Sequence, residues 1–194
     1  MASRSTKQLR DDSVFTAVTG SGMLAFWDPA SFTHIVDYES WELELLEDET
    51  IAEHLGAGKL VPLNILCDGR FGVLVRGDAT AEPDLTERER KYLSATSQPY
   101  LFRSSGIARI SGIEEVGAFP DPSSGPDDMA PTEIEVPAGE YAVTVHLIDW
   151  EAEPGILNDQ GEAAESALPD FVVLIGPAAV GPFRTDVETF DDND

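Results

Sequence analysis

Two short stretches do most to limit what this chain can fold into. Phe71-Gly72-Val73-Leu74-Val75 and Tyr141-Ala142-Val143-Thr144-Val145-His146-Leu147 place a large apolar side chain at every second position. Side chains alternate across a strand, so each stretch predicts a β-strand with one buried face. Residues 171–175 are apolar throughout, which predicts a central strand covered on both sides. The expected core is Phe71, Val73, Val75, Tyr141, Val143, Val145, Leu147, Val172 and Leu174. Asp68-Gly69 precedes the first stretch and Ala138-Gly139 the second. Two hairpins are therefore expected, 60–67 against 71–76 and 133–136 against 141–150. The two segments echo each other (aromatic, small, valine, spacer, valine), as an internal hairpin duplication would, or as any two hairpins with glycine turns would.

Residues 14–18, 23–27, 34–38, 99–102 and 106–110 also read as strands, while 41–46 fits either a strand or a helix. Short helices are expected at 48–55, closed by Gly56, and at 85–93 behind Asp84. The fold class that follows is α+β, predominantly β: a single β-rich domain, barrel- or sandwich-like, with two short helices. Along the chain we expect a flexible N-terminus at 1–13, the β-rich domain at 14–177 with loops at 118–132 and 151–168, and an acidic tail at 178–194.

Charge narrows the function. The chain carries 37 acidic and 12 basic side chains, for a net charge of −25, and the excess is uneven. Residues 1–110 hold 17 acids against 11 bases, whereas residues 111–194 hold 20 acids and one base, Arg184. Nucleic acid is excluded as a partner because its binding needs Lys and Arg to displace counterions. An anionic membrane surface is disfavoured for the same reason. A basic protein partner fits. The acidity also has two other readings, solubility and adaptation to high salt. No apolar run approaches the ~18 residues of a membrane helix, and residues 1–13 lack the apolar centre of a signal peptide, so a cytoplasmic location is expected.

Catalytic signatures are missing. His34, His54 and His146 share no ligand spacing, and the single cysteine, Cys67, supports neither an intrachain disulfide nor a cysteine-rich zinc site. Gly56-Ala57-Gly58-Lys59 lacks the spacer and the Ser/Thr of a phosphate loop, and Gly20-Ser21-Gly22 is not a nucleophile elbow. No catalytic residue, cofactor site or metal site is assigned, which argues against an enzyme. Trp27, Trp41 and Trp150, at strand ends, read as core closures before they read as binding anchors. Candidate partner-binding residues are Glu114, Glu115, Asp121, Asp127, Asp128, Asp149, Glu151 and Glu153, which flank the loops around the second expected hairpin.

Asp68-Gly69-Arg70-Phe71-Gly72-Val73, Gly106-Ile107-Ala108-Arg109, the run from Pro137 to Asp149-Trp150, and Pro169-Asp170-Phe171-Val172-Val173 occur in that order. This series resembles an uncharacterised family of small bacterial β-rich proteins, in which a DG-aromatic segment precedes a PxGxYxVxVxxIDW strand and a terminal PDFVV strand. The likeness spans roughly residues 23–177. Some of those relatives resemble polymorphic-toxin immunity proteins; the resemblance implies a fold more than an activity, and together with the charge it leads us to expect a non-enzymatic acidic interaction protein, of immunity type in one form, that binds a basic partner. The alternative is an enzyme or small-ligand binder whose acidity serves only solubility or salt tolerance.

One expectation follows from charge alone. The melting temperature should rise between ~10 mM and ~1 M salt as self-repulsion is screened, with most of the gain at low salt. Thermal melts across that range test it. A gain that continues into molar potassium chloride marks salt adaptation, and no gain contradicts the repulsion argument.

Overall fold

The alternating segments become strands of two facing sheets in the computed structural model, which describes residues 7–9, 12, 14–78, 81–118, 130–158, 160–161, 163–178 and 181–190. The first sheet has the order β1 (Lys7–Gln8), β9 (Thr132–Glu135), β8 (Ile107–Gly112), β3 (Met23–Trp27) and β4 (Leu60–Asn64). The second has the order β2 (Phe15–Thr19), β5 (Gly69–Gly77), β11 (Phe171–Pro177), β10 (Gly139–Ile148) and β6 (Leu93–Thr96); β7 (Tyr100–Ser104) shares the β10 edge with β6. Phe26 of β3 and Phe102 of β7 bring their ring centroids to 4.6 Å, joining the sheets through the core. The domain is a sandwich; neither sheet closes into a barrel.

Apart from 34–38 the expected strands are present, and β11 is central, parallel to β5 and antiparallel to β10. Val73, Val75, Tyr141, Val143 and Val145 lie in the main core, against which Phe71 and Leu147 pack half-buried. Val172 and Leu174 are buried on the opposite face of β11, in a second cluster with Leu74, Leu85 and Ile148.

Neither expected hairpin forms. β4 pairs with β3, while β5 pairs with β2 and β11, so residues 65–68 carry the chain from one sheet to the other. Leu66 makes that bend at φ +57°, and the Ile65 and Leu66 amides both donate to the Gly22 carbonyl. In the same way β9 pairs with β1 and β8, while β10 pairs with β11, β6 and β7. The physical reason is burial. Leu60, Val61, Pro62 and Leu63 are all buried, so β4 needs cover on both faces, which a two-stranded hairpin cannot supply. The echoed segments are the two strands flanking β11, each entered by a crossing between sheets.

Among the described residues three α-helices form where two were expected. α2 (Asp48–Gly56) and α3 (Glu87–Lys91) match the expectation, and α1 (Tyr38–Leu45) is added. The stretch 34–38 is not a strand, because Asp37 caps α1: its Oδ1 accepts from the Ser40 amide at 2.9 Å, and Ser40 Oγ accepts from the Asp37 amide at 3.1 Å. Before α1, a 3₁₀ turn at Pro29–Phe32 places Phe32 edge-on against Trp27 at 6.0 Å and His54 at 5.0 Å. This stack covers the outer face of β3 and explains why all five of its residues are buried. Near the C-terminus, Thr189 Oγ1 accepts from the Asn64 amide and donates to the Pro62 carbonyl. Tyr100 donates to the Asp186 and Glu188 carbonyls, and burial pushes its phenol pKa up to about 12.

Candidate interaction surface

The strand registers bring the described candidates to one end of the sandwich. Thr19 at the end of β2 pairs with Gly69 at the start of β5, and Val73 pairs with Phe171, which pairs with Leu147 near the end of β10. Glu114 and Glu115, in a 3₁₀ turn after β8, and Asp149, Glu151 and Glu153, after β10, therefore share this end. They sit on opposite sides of it, about 14 Å apart if measured as three inter-strand spacings. Asp121, Asp127 and Asp128 lie outside the described residues.

Their local chemistry divides them. Glu114 accepts from the Gly20 amide at 2.6 Å and from Ser21 Oγ at 2.7 Å, so it staples the turn between β2 and β3. Glu153 makes a two-pronged pair with Arg88 at 2.9 and 2.6 Å, and that hydrogen bonding holds its carboxyl below the usual range. Glu115 is half-buried, whereas Asp149 and Glu151 are exposed.

A second acidic surface adjoins the first and was not among the sequence candidates. Residues 37–53 contain eight carboxylates and no Lys or Arg. They build α1 and α2, and Trp41 Nε1 of α1 donates to the Ile113 carbonyl at 3.0 Å, which seats the helix beside Glu114 and Glu115. A count in short windows finds this run; averaging over residues 1–110 hides it behind distant arginines. Trp27 and Trp41 are buried, as core closures should be, and half-buried Trp150 donates to Asp170 Oδ1 at 2.8 Å.

Two buried histidines give this region and the second sheet a pH dependence. His54 Nε2 of α2 lies 2.9 Å from Glu44 of α1, with His34 at 3.5 Å on the same oxygen. His146 shares a hydrogen bond with Thr96 at 3.1 Å. Burial pulls both imidazoles below the ordinary value. Lys59 adds to this at His54 and Glu44 opposes it, while Glu89 and Asp84 oppose it at His146. The unfolded chain then takes up protons near pH 6.5 while the folded chain does not, so stability is complete above that pH and falls as pH drops towards the folded values. Between pH 7.5 and 5.5, at fixed ionic strength, the melting temperature should fall by a few degrees. His146→Leu should remove part of that fall in thermal melts, and an unchanged slope in the variant assigns the effect elsewhere.

Among the described residues, no three His, Cys, Asp or Glu side chains converge as a metal site requires. No helix there is long and apolar enough to cross a membrane. A cleft of about 310 Å³ opens on the outer face of the second sheet between Ala142, Leu174 and Gly176 on one side and Pro83 and Phe183 on the other. Among its described lining residues Glu82 is the one titratable side chain.

No family model matches the chain, and no curated protein matches it in sequence. Solved structures do. The crocagin biosynthetic gene J protein superimposes with a TM-score of 0.54 at 16% identity, over 86% of this chain and 98% of that one. ComJ of Bacillus subtilis, an inhibitor of the DNA-degrading activity of NucA, gives 0.48 at 10% identity, over 86% of this chain and 96% of its own. At the first of these scores the likeness is one of fold.

Proposed function

We propose that this protein acts by binding a basic protein partner through its acidic surface, without chemistry of its own. The specific form we favour is an immunity-type role, in which exposed carboxylates cover the Lys and Arg of a nucleic-acid-cleaving site. One observation carries the reading. Arg76, Arg88, Arg90, Arg103, Arg109 and Arg184 are each paired with a carboxylate of the same chain. Six of the twelve cations are thus neutralised locally, and at a net charge of −25 the field that an approaching molecule meets is negative. Complementary charge of this kind raises association rates and rejects anionic competitors.

The test begins with the partner, identified from the neighbouring gene or by capture at low and high salt. Asp149→Lys with Glu151→Lys should slow association about tenfold at low salt and flatten its salt dependence. Glu153 is left in place, because its reversal would break the Arg88 pair as well. Stopped-flow rates at two ionic strengths decide the matter: an unchanged rate removes these residues from the encounter surface, and an acidic partner removes the reading. The cleft on the second sheet supports a second reading, capture of a small apolar molecule, since its volume and lining suit one. Native mass spectrometry of protein purified from its host would then show an added mass that Ala142→Trp abolishes.

A further inference from the structure

Alternation in the segment 41–45, Trp-Glu-Leu-Glu-Leu, has the period of a strand, yet it folds as α1. A helix turns ~100° per residue, so the apolar side chains of a period-two pattern cannot all share one face. Trp41 and Leu45, four apart, point into the core. Leu43 is then ~200° round from Trp41 and Leu46 about 140°, both on the solvent side. Their exposures agree: 72% for Leu43 and 52% for Leu46, against 8% and 2% for Trp41 and Leu45. Tyr38, 62% exposed and stacked on Trp41 at 5.8 Å, extends the apolar strip along α1. Glu39 and Glu42 border these leucines on the same face. The helix thus spends apolar side chains where the fold makes no use of them, a conflict between local pattern and structure that natural sequences keep mainly at functional sites.

We infer that the outer face of α1 docks a basic amphipathic helix of a partner protein, with Leu43 and Leu46 packing between its apolar side chains and Glu39 and Glu42 pairing with its Lys or Arg. The inference rests on the basic-partner reading above and adds the contact site to it. Charge complementarity selects the occupant, because residues 37–53 offer eight carboxylates and no cation. A second copy of this chain would bring the same charge to the same place, within a total of −25 on each molecule. An apolar centre inside a polar rim is the usual anatomy of a protein–protein contact.

The experiment uses the full chain and two synthetic 14-residue peptides of equal positive charge. One carries leucines at i, i+3, i+4 and i+7 among lysines, and in the other serines replace the leucines. Fluorescence anisotropy at 0.15 M and 0.5 M salt should show the Lys/Leu peptide binding at least tenfold tighter, with the preference surviving the higher salt. Leu43→Ser with Leu46→Ser should erase that preference while leaving the weaker Lys/Ser binding and the circular dichroism spectrum unchanged. Amide shift changes on Lys/Leu binding should centre on residues 36–47. A preference that survives in the double variant, or shifts centred elsewhere, overturns the α1 site while leaving the basic-partner reading standing. Absence of binding by both peptides at 0.15 M salt overturns both. A wild-type dimer in sedimentation that the double variant dissociates replaces the partner by a second copy and overturns the inference.

Discussion

Replacing Glu89 by alanine should lower the stability of the fold by about 3–5 kcal/mol, the usual loss when one member of a buried ion pair is removed. Glu89 is 3% exposed, and its two carboxylate oxygens each lie 3.0 Å from the Arg76 guanidinium on β5. Burial by itself would raise the Glu89 pKa. Arg76 and the Thr86 amide outweigh burial and hold it below the ordinary value. The same carboxylate accepts from the Thr86 amide at 2.6 Å while Thr86 Oγ1 accepts from the Glu89 amide, so Glu89 also closes the first turn of α3. Alanine leaves Arg76 facing, among the described residues, exposed Asp12 and the Asp84 carbonyl, and it uncaps a five-residue helix that has little stability alone. Urea denaturation followed by circular dichroism measures the loss. Arg76→Met with Glu89→Met should lose less than Glu89→Ala, because no unpaired charge remains buried. Equal or greater loss in the double variant shows that the charge pair itself matters less than packing around it.

Glu89 also illustrates what a sequence conceals. The helix signal at residues 85–93 is local and readable, but the partner on β5 is 13 residues away and depends on how β5 and α3 pack. Glu114 and Glu153 show the same limit more sharply. Both are acids beside loops, and nothing nearby separates them from Asp149 and Glu151. Their partners lie 93 residues away at Ser21 and 65 away at Arg88, so the bonds these two acids make within the fold cannot be read from their neighbours in sequence.

Strand identity was legible wherever period and turn chemistry agreed, as in β5, β10 and β11. Strand pairing was not. Asp68-Gly69 and Ala138-Gly139 mark a change of direction, but a reversal within a sheet and a crossing between sheets use the same residues. What decides is whether the preceding strand needs cover on one face or two, and that is a property of the assembled core. The segment 41–46 reads as either strand or helix for a related reason. Its alternation favours a strand and its cap, Asp37 with Ser40, favours a helix; tertiary contacts through Trp41 and Leu45 settle the contest. The exposed leucines left by that settlement are the one sequence conflict that points to a contact outside the fold.

The scaffold that holds α1 in place predicts a second large effect. Trp27 is fully buried on the outer face of the first sheet, where its ring meets Phe32 edge-on and lies 5.5 Å beneath the Arg109 guanidinium. Its Nε1 donates to Ser111 Oγ at 3.3 Å. Alanine removes the largest side chain of β3, leaves Ser111 without that donor, and opens a cavity that a strand paired on both edges cannot collapse into. The expected cost is about 3–5 kcal/mol, a fall of roughly 10 °C in melting temperature for a chain of this size. Phenylalanine keeps most of the volume and should lose about half as much. The effect should also be directional. Phe32 touches both Trp27 and His54, and His54 is bonded to Glu44 of α1, so a continuous chain of contacts leads from β3 to the proposed docking helix. In Trp27→Phe, amide exchange should accelerate in α1 and α2 more than in β10 and β11, which pair in the other sheet through seven residues of unbroken register. Uniform acceleration across both sheets would mean that Trp27 supports the domain as a whole and has no particular hold on α1.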